Sequence, residues 1–281
     1  MNPDSDRSPA VAGVAAPGAA FPPARLEVHA AGRRRLGLLA VLLLTAALRA
    51  ESVEALLVAD ETELQPLVQK LVAPRVETRA TWTFWLGTLG GKPVALTRTE
   101  GDPLNAVAAT ALAIRRYSPK LVVTYGIARA HDPALKPGDV VVSKTFVGFD
   151  GVLSDPLPLG GGIQPLKWHR LPHAPMTPGE KEQYRDDFPA DPAALARAEK
   201  LTPARGKRVV GTLGSAHQVN RETDRIAYLH QLWKTSSEDT ESAHVAGCAL
   251  LFNTPVIGIR VIEGNPGEAA ALAAQFLEDW K

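Results

Sequence analysis

From residue 51 to residue 281, short runs of β-branched and other apolar residues alternate with segments whose apolar residues recur every three or four positions. A chain in which strand and helix periods alternate buries its apolar faces most simply as a sheet with helices on both sides. The reading is an α/β domain of three layers, α/β/α, around a central mixed sheet. Val53 to Ala59 is an apolar strand that runs into Asp60-Glu61-Thr62-Glu63 and then a helical pattern of Leu64, Leu67, Val68 and Leu71. Arg79 to Leu86 and Pro93 to Thr99 read as a hairpin around Gly90-Gly91. Further strands are expected at 121–125, 139–146, 208–213 and 256–262, and helices at 105–117, 192–201, 222–233, 240–252 and 268–280. Residues 151–189, rich in Pro and Gly and without period, read as a surface excursion. No second core and no internal repeat is evident.

Residues 1–50 read differently, as a disordered extension followed by an export signal. Met1 to Ala31 is rich in Ala, Pro and Gly with no apolar period. Arg33-Arg34-Arg35 then precedes an uncharged, mostly apolar run from Leu36 to Leu48, the charge-then-apolar order of a signal peptide. That run falls short of the roughly 20 apolar residues a spanning helix needs. Cleavage is expected after Ala47 or Ala50, leaving no membrane span and a periplasmic or secreted protein; an uncleaved anchor is the alternative.

Composition narrows the chemistry of the domain. Thirty-one Lys+Arg against 30 Asp+Glu leaves +1, without the basic excess that would draw the chain onto nucleic acid. Cys248 is the single cysteine, which excludes an intrachain disulfide, a Cys-rich zinc site and a CxxC centre. His169 and His173 have no evident third ligand, so no metal is expected. In an α/β domain ligands gather where strands end and helices begin. Four such junctions carry unusual residues: Asp60 to Glu63, Gly126 to Arg129, Ser215 to Asn220, and Ser236 to Glu241 together with Glu263 to Asn265.

The chain resembles the purine nucleoside phosphorylase and methylthioadenosine/adenosylhomocysteine nucleosidase superfamily. The resemblance is carried by Ala55 to Glu63, Gly101 to Thr110, Val122 to Ser143, Glu238 to Ala243 and Gly258 to Ile262, in that order and spacing. It implies cleavage of an N-glycosidic bond, which builds positive charge on the ribose, leaves electron density on the base and requires an activated nucleophile. By this resemblance Glu63 is the base or water-positioning group and Glu241 accepts hydrogen bonds from both ribose hydroxyls. Thr240 stands where many relatives have a methionine against the sugar. Val219 and Asn220 cover and hydrogen-bond the base, with His217 beside them. Gly126, Ile127, Ala128 and Arg129 form a pocket loop in which Arg129 puts bulk where relatives carry glycine. The resemblance also implies a homodimer and no cofactor, metal or organic.

One departure stands out. Relatives end the strand at 256–262 in Ser-Asp or Ser-Asn, whose second side chain assists the leaving base, and here the residues are Glu263-Gly264-Asn265. Glu263 or Asn265 is expected to take over that contact, with desolvation keeping Glu263 partly protonated. The expected function is an exported hydrolase of a purine nucleoside, including 5′-thio-substituted ones. A phosphate-dependent phosphorylase and a catalytically weak nucleoside-binding protein are the alternatives.

Overall fold

A computed structural model describes residues 52–176, 183–278 and 280. The extension and signal, with the cleavage positions Ala47 and Ala50, lie outside the described residues. The elements in chain order are β1 (Ala55–Ala59), α1 (Glu61–Val68), β2 (Val72–Arg79), β3 (Trp82–Leu89), β4 (Lys92–Arg98), α2 (Pro103–Tyr117), β5 (Leu121–Ala130), β6 (Val140–Gly148), β7 (Val152–Leu153), β8 (His169–Arg170), β9 (Phe188–Pro189), α3 (Pro192–Ala198), β10 (Arg208–Ser215), α4 (Thr223–Trp233), β11 (Ser237–Asp239), α5 (Ser242–Leu251), β12 (Val256–Ile262) and α6 (Pro266–Glu278).

The sheet is mixed and runs β11-β10-β6-β12-β5-β1-β4-β3-β2. Parallel ladders join β4, β1, β5 and β12, whereas β12–β6 and the β2–β3–β4 meander are antiparallel. Its middle strands, β1 and β12, are buried at every position, because α1 packed on α6 and α2 packed on α5 cover the sheet. Fully buried Leu56, Leu57, Val122, Val123, Ile257 and Ile259 belong to one core. The β3–β4 hairpin turns at Gly90-Gly91, both at positive φ (55° and 79°), as a two-residue turn of this kind requires.

Three features depart from the sequence expectation. Strand β2 pairs with β3 although nearly all of its residues are exposed. An exposed edge strand has no apolar alternation to reveal it. Strand β5 continues five residues past Tyr125 to Ala130, so Gly126 to Arg129 lie on a strand and not in a loop. Strand β11, three residues long, is parallel to β10 and antiparallel to the end of β5, and it closes β5, β12, β6, β10 and β11 into a ring. That closure brings the Glu238 to Glu241 segment beside Ala128 and Arg129.

Candidate active site

A cavity of about 230 Å³ opens at this junction, lined by Asp60, Glu63, Gly101, Ile127, Ala128, Arg129, Gln218, Val219, Glu238, Asp239, Thr240 and Glu241. The start of α1 supplies its first acid. Asp60 caps the helix, its carboxylate accepting from the Thr62 amide and its own amide donating to Glu63 Oε2. Glu63 Oε1 accepts a second bond, 2.6 Å, from the Ile127 amide on β5, and Tyr125 Oη donates to the Glu63 carbonyl. Glu63 is thus both a helix-cap residue and a wall of the cavity. A Cβ on Gly126 would stand 2.1 Å from Glu63 Oε2 and 2.6 Å from Arg260 Nη1, so only glycine lets β5 pass this close.

The start of α5 supplies the second acid by dividing two tasks between neighbours. Asp239 Oδ1 accepts from the amides of Glu241 and Ser242 and caps the helix. The Glu241 side chain makes no cap bond and is free to face the cavity. Its Oε2 accepts from Thr99 Oγ1 at 2.6 Å.

Arg260, on β12 and 1% exposed, binds the acids together. Its Nε donates to Asp239 Oδ2 at 2.8 Å, and Nη2 donates to Thr124 Oγ1 and lies 3.5 Å from Glu241 Oε1. Two carboxylates therefore pair with one guanidinium, whose charge also acts on Glu63. Burial pushes the Glu241 carboxyl up to about 7, against the pull of Arg260. Burial likewise raises Glu63, with Arg260 and the Ile127 amide opposing it. Asp239 meets the same burial, but Arg260 and the bonds from Ser242 prevail and hold it below the usual range. The two acids facing the cavity thus both hold a proton more tightly than ordinary carboxylates, Glu241 up to about 7, which makes them better proton acceptors. Sequence reasoning missed Arg260: the Gly258 to Ile262 motif marked the strand, but a lone arginine in an apolar run carries no sign of its partners.

A second buried group lies on β11. Glu238 Oε1 accepts from the Asn220 amide at 3.0 Å and Oε2 from Asn220 Nδ2 at 2.6 Å, while His131 Nε2 lies 3.0 Å from Oε2. His131 Nδ1 in turn meets Thr235 Oγ1 at 2.7 Å. Asn220, expected to offer its backbone to a base, spends its amide on Glu238 and does not line the cavity; Gln218 does, beside Val219. His217 is 72% exposed and 3.6 Å from Asp102, outside the cavity.

The expected leaving-group residues are placed elsewhere. Glu263 is exposed at φ 44°, its amide bound to the Ala128 carbonyl, so the desolvation expected of it does not occur. Asn265 caps α6 by a reciprocal exchange with Glu268 and lines a different cavity. A Cβ on Gly264 would meet Val261 Cγ1 at 2.4 Å, so this turn has no room for an aspartate without a shift. Thr240, Ile127, Ala128 and Arg129 do line the cavity with Glu63 and Glu241. Among the described residues no group of three His, Cys, Asp or Glu is arranged to hold a metal.

A closed mixed sheet with paired acids at its strand ends defines a class. The family model for the phosphorylase superfamily matches residues 55–280, and the chain belongs to that superfamily. Relatives include the 5′-methylthioadenosine/S-adenosylhomocysteine nucleosidases of Marinomonas sp. (strain MWYL1), 27% identical over 77% of this chain and 87% of its own length, and of Bacillus licheniformis, 25% identical over 80% and 91%. The fold is shared with the Neisseria meningitidis nucleosidase solved with methylthio-immucillin-A, at TM-score 0.66 and 18% identity over 81% of this chain and 100% of that one.

Proposed function

We propose that the protein is a nucleosidase that hydrolyses the N-glycosidic bond of a purine nucleoside. The observation that carries this reading is the pair of acids on the cavity wall, Glu63 and Glu241, both raised by burial and backed by the buried Arg260. Glu241 accepts the ribose hydroxyls, a two-oxygen acceptor facing two donors. Glu63 takes the proton of the attacking water as the bond to the base breaks. Thr240, Ile127 and Ala128 enclose the sugar, and Val219 with Gln218 covers the base. The nucleosidase relatives support the same chemistry and a 5′-thio-substituted ligand.

Phosphorolysis is disfavoured by charge. The lining holds five acids and one cation, Arg129, whereas phosphate needs converging cations. The discriminating assay supplies inosine, adenosine and methylthioadenosine with and without phosphate: free ribose sugar without phosphate is expected, and absolute phosphate dependence with a sugar 1-phosphate product would overturn hydrolysis. The exposed Glu263 and closed Gly264 turn favour a second reading, a nucleoside-binding protein with little turnover. Calorimetric binding without released base over long incubation would establish that reading.

The protein is exported and acts as a homodimer in this account. The Arg33-Arg34-Arg35 and Leu36 to Leu48 pattern supports export, checked by N-terminal sequencing of secreted material for a start after Ala47 or Ala50. Exposed Leu104, Val107 and Leu112 on α2 support association, checked by light scattering.

A further inference from the structure

Departure of a nucleoside's base leaves an electron pair on a ring nitrogen that must be protonated or held by a donor. The β12 end supplies no such donor. Gly264 has no side chain and no space for one, Glu263 is exposed outside the lining, and Asn265 is engaged in capping α6. Each of the five acids of the lining already accepts from another group, among them Glu63 from the Ile127 amide, Glu238 from Asn220 and Glu241 from Thr99. Arg129 is the exception among the charged residues. It is the one cation of the lining, and among the described residues its guanidinium has neither a hydrogen bond nor an ion pair. It stands opposite Glu238 in the β5–β11 ladder, where partners present their side chains on one face, yet Glu238 gives its oxygens to Asn220. Arg129 thus meets the cavity beside the segment of Gln218 and Val219, and a guanidinium without a counter-ion among five acids is left available to a group that enters.

Resting on the nucleosidase reading, we propose that Arg129 is a catalytic residue of this chain, whose N–H groups hold the departing base. The step balances without a leaving-group acid. The water oxygen bonds to C1′ and its proton passes to Glu63. The C1′–N bond breaks, and its electron pair goes to the ring nitrogens, which leaves the base an anion. Arg129 donates hydrogen bonds to that ring and gives up no proton, because a guanidinium stays charged at any pH the protein meets. The released base takes its proton from solvent, and Glu63 returns its own to solvent. The contact strengthens as negative charge develops on the ring, so it lowers the barrier more than it tightens binding of the nucleoside. The Gln218 side chain, exposed at the same wall, offers a second N–H donor.

The experiment measures base release by the full chain and by its Arg129→Met variant from adenosine and from 6-chloropurine riboside, whose chlorine steadies the charge on the departing base. On adenosine kcat is expected to fall about 100-fold, with KM changed far less. On the chloropurine the loss is expected to be smaller, by on the order of fivefold, because a better leaving group needs the donor less. Equal losses on both substrates would mark an altered pocket shape, and wild-type kcat on adenosine would place Arg129 outside the reaction; either result overturns the proposal. The wild-type pH profile decides independently of how the variant folds. Adenosine turnover level from about pH 8 to 9.5 is expected, since a guanidinium does not titrate there. A fall across that range would assign departure of the base to a protonated acid and overturn the proposal. No base released by the wild type from adenosine, methylthioadenosine or the chloropurine would overturn the nucleosidase reading itself, which an inert Arg129 leaves standing.

Discussion

The molecule contains two ion clusters built to opposite stoichiometry. On the outer wing of the sheet, Glu77 of β2 lies within 3.5 Å of Arg75, Arg79 and Arg116 and accepts from Tyr117 Oη. One partly exposed acid has three cations, and though burial works upward on its carboxyl, the Tyr117 bond and the arginines hold it below the usual range. At the closed end, one buried cation serves Asp239, Glu241 and Glu63, and the two acids facing the cavity are raised. The first arrangement stabilises a fold edge. The second keeps carboxylates that the fold would rather hold neutral, which is the signature of a site retained for chemistry.

The pH dependence separates them further. Glu77, with a depressed folded pKa, contributes stability that is present above its unfolded pKa and lost as pH falls through the folded one. Glu241 runs the other way: between its unfolded value near 4.5 and about 7 the fold holds a proton the unfolded chain has lost, so its contribution disappears as pH rises to about 7.

The largest expected effect follows from removing the shared cation. Arg260→Met strands Asp239, Glu241 and Glu63, and breaking a buried pair in this way costs about 3 to 5 kcal/mol. A fall in Tm on the order of 10 °C together with lost activity is expected in thermal melts at pH 7, and an unchanged Tm would dissolve the contrast drawn above. Gly126→Ala comes next, because its Cβ would displace Glu63 and Arg260. A drop in kcat of about 100-fold is expected, measured at saturating nucleoside. Glu241→Gln should raise KM about tenfold or more by weakening ribose recognition, and it should remove the rise in activity expected of the wild type as pH passes about 7 and Glu241 ionises. Its Tm at pH 8 should not fall, since the charge removed is one the fold disfavours. Glu77→Gln is the smallest: a loss of about 1 kcal/mol in chemical denaturation, with kinetics as in wild type.

How far the sequence disclosed this depends on which kind of signal each residue leaves. The apolar runs of β1, β5 and β12 and the Gly90-Gly91 hairpin were readable because period and turn chemistry are local. Glu63 and Glu241 were placed through a family motif; by local rules each is only an acid near a helix start. β2 and β11 were invisible, one exposed and one three residues long, and their pairing is a tertiary matter. The pairing of Arg116 on α2 with Glu77 on β2 is tertiary in the same way. The same applies to Arg260 and to the Glu238–Asn220–His131 group, whose members lie 18 and 107 residues apart in the chain. The exposure of Glu263 was hidden for a related reason: whether a residue just past a strand is desolvated depends on the turn, and in this turn, where the Gly264 backbone lies close to Val261, Glu263 is exposed.

What decides this picture is whether Glu63, whose carboxyl burial raises above the usual range at a cost to the fold, takes a proton from water. Its most direct test is the turnover of Glu63→Gln measured beside its unfolding curve at pH 7. The account predicts kcat reduced by about 100-fold or more, within the range general-base catalysis supplies, and an unfolding midpoint equal to or above that of the wild type. Wild-type turnover in a folded Glu63→Gln protein would contradict it.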